Sequence, residues 1–110
     1  MSAITTHILD TARGCPAAGV PIRLDFWDGS WTTLGEGVTN VDGRLPGLLD
    51  DPPVAGRYRM TFETGEYFEA LGIEGFYPYA QVVFDLRDVD SHYHVPLLLS
   101  PFGYSTYRGS

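Results

Sequence analysis

Val20-Pro-Ile-Arg-Leu-Asp-Phe-Trp27 is the stretch on which the fold turns. Val20, Ile22, Leu24 and Phe26 are apolar, and Pro21, Arg23 and Asp25 stand between them. Strict alternation with period two describes a strand with one face buried and the other wet. The pattern recurs on both sides. Residues 57–63 turn Tyr58, Met60 and Phe62 inward, with Arg57, Arg59, Thr61 and Glu63 outward. Residues 81–87 turn in Val82, Phe84 and Leu86, and residues 93–99 turn in Tyr93, Val95, Leu97 and Leu99. Residues 4–9 place Ile4, Thr6 and Ile8 on one face and Thr5, His7 and Leu9 on the other. Weaker strand patterns cover residues 31–39, 44–49 and 104–108. Thirteen glycines and eight prolines punctuate these segments, as frequent turns require.

One stretch predicts a helix, residues 64–72. Thr64 stands as N-cap, Glu66 lies in the first turn and Gly72 stands as C-cap. Seven or eight short strands with one short helix predict an all-β sandwich of two sheets. The sequence has no internal repeats and no linker. Asp50-Asp-Pro-Pro-Val54 is the most loop-like segment and is too short to join two domains. A single domain over residues 1–110 is therefore expected.

Charge narrows the function. Seven basic residues, all arginine, oppose fourteen acidic ones for a net charge of −7. A phosphate backbone wants a basic face, so no nucleic-acid partner is expected. Without lysine there is no Schiff-base chemistry on a lysine side chain. The single cysteine, Cys15, forms no intramolecular disulfide and no zinc ribbon, and reads as an incidental residue of a Gly-Cys-Pro turn. No apolar run reaches the length of a membrane span, and the N-terminus lacks the pattern of a signal peptide. The expectation is a cytoplasmic protein with no membrane partner.

The chemistry-bearing residues are His7, His92, His94 and Arg44. His7 and His94 alternate away from the core residues beside them, so both point from the outer face of the sandwich. They are either two solvated histidines or a pair meeting in a shallow groove or interface. His92 and His94 form a His-x-His pair, a spacing that can bind zinc or copper, but no acidic or cysteine ligand supports it at a convincing spacing. No metal and no cofactor are expected. Asp42-Gly-Arg44 is a turn signal; Arg44 is either a surface charge or a guanidinium aimed at carbonyl or anionic oxygens. No nucleophile elbow or phosphate-cradling loop is present. Leu98 shares the outward face with His94, and a strand edge so apolar suggests a subunit interface.

Four blocks resemble a known family. Ile4-Thr-Thr-His-Ile-Leu-Asp-Thr-Ala-Arg-Gly14 resembles the N-terminal signature of the transthyretin-like 5-hydroxyisourate hydrolases, and Pro16-Ala-Ala-Gly-Val-Pro-Ile-Arg23 continues it. Thr39-Asn-Val-Asp-Gly-Arg44 resembles the second block. His92-Tyr-His-Val-Pro-Leu-Leu-Leu-Ser-Pro-Phe-Gly-Tyr-Ser-Thr-Tyr-Arg-Gly-Ser110 resembles the C-terminal signature with its closing Tyr-Arg-Gly-Ser. The resemblance implies an eight-stranded sandwich with one short helix, assembled as a homotetramer (a dimer of dimers) with active sites in a channel between dimers. It implies hydrolysis of 5-hydroxyisourate to 2-oxo-4-hydroxy-4-carboxy-5-ureidoimidazoline in urate breakdown. It places catalytic roles on His7, Arg44 and His94, and substrate binding on His7, Arg44, Tyr107 and Ser110. Opening a cyclic amide with water needs a base, positive charge for the oxyanion and a proton for the leaving nitrogen, which two histidines and an arginine supply. Which histidine is the base stays open. The alternatives are a transthyretin-type carrier that binds without turnover, and a structural or adhesive module. Transthyretin lacks the histidine pair and the Tyr-Arg-Gly-Ser ending.

Overall fold

The alternating stretch around Leu24 is an interior strand of one of two four-stranded sheets. The computed structural model describes residues 3–110. Its strands are β1 (Ile4–Asp10), β2 (Cys15–Pro16), β3 (Pro21–Trp27), β4 (Trp31–Val38), β5 (Gly56–Phe62), β6 (Ala80–Leu86), β7 (Tyr93–Ser100) and β8 (Gly103–Thr106). Its helix is α1 (Thr64–Ala70). One sheet has the order β4-β3-β5-β6 and is antiparallel throughout. The other has the order β2-β1-β7-β8, with β1 and β7 parallel.

The inward residues meet between the sheets. Ile4, Ile8, Leu97 and Leu99 of one sheet and Leu24, Tyr58, Met60 and Phe62 of the other are buried. Each such side chain contributes about 2 kcal/mol. The Tyr58 ring stands edge-on to Phe26, with centroids 5.0 Å apart, and its hydroxyl donates to the Val54 carbonyl at 2.7 Å. The outward pattern has exceptions, Asp25, Thr61 and Pro96 among them. Asp25 is buried because Arg59, Arg23 and Thr33 close over it, with Arg59 Nη2 at 2.8 Å and the Thr33 hydroxyl donating at 2.9 Å. Asp10 is buried at the end of β1, where it accepts from the backbone N–H groups of Ala12 and Arg13 and from the Tyr67 hydroxyl of α1 at 2.7 Å.

Several expectations need correction. Residues 44–49 are not a strand. Arg44 makes a single bridge to His7, then Pro46, which has no N–H to give, and Gly47 at φ +73° turn the chain. Leu48 and Leu49 plug the core instead of joining a ladder. Thr64 is the buried first helical residue rather than the N-cap, which is Glu63, and Glu63 makes no side-chain capping bond. The C-cap is Leu71 rather than Gly72; Gly72 follows it at φ +70°, and the N–H groups of Gly72 and Ile73 return to the carbonyls of Glu69 and Phe68. The last strand stops at Thr106. Tyr107 and Arg108 leave the ladder, Arg108 to lay its guanidinium over the Tyr93 ring at 4.5 Å. The two-residue β2 carries no period for a sequence pattern to show.

Candidate active site

His7 lies half-buried on the outer face of β1. The parallel register sets Thr5 opposite His94 and His7 opposite Pro96, so the two histidines sit on one face of adjacent strands, one two-residue step out of register.

Arg44 arrives from the other side of β1. Asn40 folds its side-chain oxygen back to accept from the N–H groups of Asp42 and Arg44, at 2.9 and 3.1 Å, an Asx turn. Gly43 then runs at φ +72°, with its carbonyl accepting from Ile8 N–H at 2.9 Å. A Cβ on Gly43 would come within 2.5 Å of the Ile8 carbonyl oxygen, so only glycine lets this turn dock. The next residue, Arg44, bridges His7.

The chain end arrives at the opposite edge of β7. Gly109 N–H donates to the His94 carbonyl at 2.8 Å, and the Thr106 hydroxyl donates to the Pro96 carbonyl at 2.7 Å. The backbone of Gly109 lies against the imidazole: a Cβ there would stand 2.5 Å from His94 Cδ2. Four segments thus lie side by side across the sheet, in the order Arg44, β1, β7 and Gly109. They bring His7, Arg44 and His94 onto neighbouring backbones. Ser110 follows Gly109 and is exposed. Tyr107 is 59% exposed and lines a cleft of about 390 Å³ with His94, Tyr93, Phe84 and Arg108. That cleft takes in neither His7 nor Arg44.

The imidazole of His94 has the most distinctive surroundings. Its Nδ1 lies 2.9 Å from the Thr5 hydroxyl, which also lies 3.0 Å from His92 Nε2. The rings of His92 and His94 are near-parallel, with centroids 6.5 Å apart. Burial holds His94 below the ordinary imidazole range, and the charges of Arg44, His92 and His7 add to the effect. A neutral imidazole at pH 7 follows. Among the described residues, no three His, Cys, Asp or Glu side chains gather closely enough to hold a metal ion. Thr5 escaped the sequence reading. Period two puts it on the face of His7, but only a register between strands almost ninety residues apart sets it against His94.

A two-sheet sandwich that carries a neutral imidazole, a second imidazole and a guanidinium on one outer sheet face defines a transthyretin-type protein with groups suited to proton transfer. Residues 4–109 match the HIUase/Transthyretin family, and the chain belongs to it. It is 47% identical to the 5-hydroxyisourate hydrolase of Mus musculus, a match covering 99% of this chain and 96% of that protein. The Klebsiella pneumoniae 5-hydroxyisourate hydrolase structure superposes with a TM-score of 0.85 at 41% identity, over 97% of this chain and 92% of that one. Sea bream transthyretin, solved in complex with thyroxine, superposes with a TM-score of 0.91 at 35% identity, over 98% and 95%. Backbone shape therefore does not separate the hydrolase from the thyroxine-bound transthyretin, and side chains must.

Proposed function

We propose that this protein is a 5-hydroxyisourate hydrolase of urate breakdown, with His7, Arg44 and His94 catalytic and with Tyr107 and Ser110 binding substrate beside them. The observation that carries the reading is the row across the outer sheet face, where Arg44 bridges His7 and the chain end is tied to His94. His94, neutral at pH 7, takes a proton from water as the oxygen adds to the ring carbonyl. The Arg44 guanidinium offsets the charge growing on that carbonyl oxygen. The C–N bond then breaks, and a protonated imidazole of the pair returns a proton to the leaving nitrogen, giving the ring-opened carboxylate. The reaction needs no electron transfer.

The same reading treats residues 1–110 as one domain and the working protein as a homotetramer. The outer face holding the histidines also presents Leu98, and a second copy laid on that face would turn it into a walled channel. A cytoplasmic setting belongs with it, since a lone thiol stays reduced there. Among the described residues no helix is long and apolar enough to cross a membrane. The test is direct. Urate oxidase acting on urate generates 5-hydroxyisourate, whose ultraviolet absorbance decays slowly unaided. Catalytic amounts of this protein should accelerate the decay. A change only in proportion to protein added is the carrier's behaviour and would overturn the reading.

A further inference from the structure

The Thr5 hydroxyl stands between two imidazoles, 2.9 Å from His94 Nδ1 and 3.0 Å from His92 Nε2, and has no third protein partner among the described residues. A hydroxyl has one proton to donate and two lone pairs to accept with. Its proton finds a protein acceptor only when one ring donates to it and the other accepts from it. His92 is exposed, whereas His94 is half-buried and has its Nε2 without a protein partner.

We propose that Thr5 is a positioning residue that couples the two rings, so that the protonation of His92 sets the tautomer of His94. Two arrangements give the hydroxyl proton a protein acceptor. In the first, His94 Nδ1–H donates to Thr5, Thr5 donates to His92 Nε2, and His94 Nε2 keeps a lone pair able to accept a proton. In the second, His92 Nε2–H donates to Thr5, Thr5 donates to His94 Nδ1, and His94 Nε2 carries the proton. A protonated His92 has N–H on both nitrogens, so of these two only the second remains. Proton uptake at the exposed ring then removes the base at the half-buried one. The first arrangement also relays. A proton arriving at His94 Nε2 is matched by the Nδ1 proton leaving to Thr5, whose own proton passes to His92 Nε2. His94 ends neutral, Thr5 is unchanged, and His92 becomes the cation and releases its proton to solvent.

The charges around this triad are few. Arg44 and His7 face His94 and add to its resistance to protonation. Arg108 reaches the His92 carbonyl at 3.5 Å from the chain end, and the Asp88 carboxylate before β7 acts on Arg108. The inference rests on the proposed function only for its effect on turnover; the coupling itself is independent of it.

The experiment uses the intact protein labelled with ¹⁵N at histidine, as wild type, Thr5→Val, Thr5→Ser and His92→Phe. Valine keeps the β-branched shape that the strand accepts while removing the hydroxyl. In the wild type and in Thr5→Ser, the ¹⁵N resonances of His94 should report a change of tautomer in step with the protonation of His92. In Thr5→Val and His92→Phe that step should vanish; His92 is exposed, so its variant tests the coupling even where Thr5→Val folds poorly. On the substrate, Thr5→Val should lower kcat about tenfold, the low end for losing a histidine's orienting partner. KM should hold within about twofold, the acid limb of kcat/KM should be shallower, and Thr5→Ser should restore both. A His94 tautomer that ignores His92 in the wild type, or still follows it in Thr5→Val, would overturn the proposal, as would a Thr5→Ser protein that behaves like Thr5→Val. If no protein, wild type included, accelerates the loss of 5-hydroxyisourate, the proposed function fails, and the resonances still decide the coupling.

Discussion

His94 is where a side chain's environment and its use meet. Burial and its cationic neighbours hold it below the ordinary imidazole value of about 6.5, so the acid limb of kcat/KM is expected below that pH. Stability should move the same way. The unfolded chain binds a proton at this residue near its ordinary value and the folded protein resists it. Stability is therefore full above about pH 6.5 and falls as pH drops toward the folded value. Urea denaturation at pH 7 and pH 5 should show it, with His94→Ala less sensitive over that window. Asp25 is also held low: burial opposes its ionisation, but the hydrogen bonds from Arg59 and Thr33 and the charge of Arg23 outweigh that. Its contribution is lost only below the ordinary carboxylate range, so the two effects separate in pH. His7→Ala, Arg44→Ala and His94→Ala should each lower turnover by about two orders of magnitude, the scale of losing a positioned acid, base or oxyanion partner. His92→Ala should be much milder. Far-ultraviolet dichroism should stay unchanged in all four, because none of these side chains faces between the sheets.

Period two was enough to put His7 and His94 on the outer face. It could not say that they share a sheet, because a parallel register has no local signature. The same limit explains residues 44–49, where a turn signal and an apolar run read as a strand although Pro46 and the left-handed Gly47 break the ladder. Among the elements, the chain end has the most testable role. Gly109→Ala meets no backbone penalty of the left-handed kind, yet its Cβ would press on the His94 ring. It should reduce turnover while the melting temperature changes little. Deleting Tyr107–Ser110 removes the Gly109 bond to His94 and should cut activity heavily while leaving the strands before it paired. A bulky C-terminal tag should also slow turnover. Helix α1 gives a control remote from the site: Gly72→Ala meets open space but a strained φ, and should cost about 1 kcal/mol of stability with turnover unchanged.

For the whole molecule, the two-sheet architecture followed from strand count and turn spacing. The assembly rests on what the surface leaves uncovered. Phe76 and Phe102 are 66% and 65% exposed on neighbouring loops, joined where Phe76 N–H donates to the Pro101 carbonyl, and Leu98 stands on the histidine-bearing face. Sedimentation at micromolar concentration is expected to give four times the 12.1 kDa chain mass. Leu98→Asp, which puts charge into that face, should lower the mass and the activity together. A monomer of full activity would contradict the assembly.

The parallel pairing of β1 with β7 also governs when the site can exist at all. A chain made from its N-terminus releases β1 first, and β1 then waits while more than eighty residues follow, on the order of ten seconds at ordinary rates of synthesis. During that wait the antiparallel sheet of β3, β4, β5 and β6 can close on its own neighbours, but the sheet carrying the histidines has only β1 and the two-residue β2. A ribosome stalled short of residue 94, or a message cut short there, yields a chain with one complete sheet and a β1 that lacks its long neighbour β7. Such a product is a target for chaperones and proteases rather than a weak version of the finished protein.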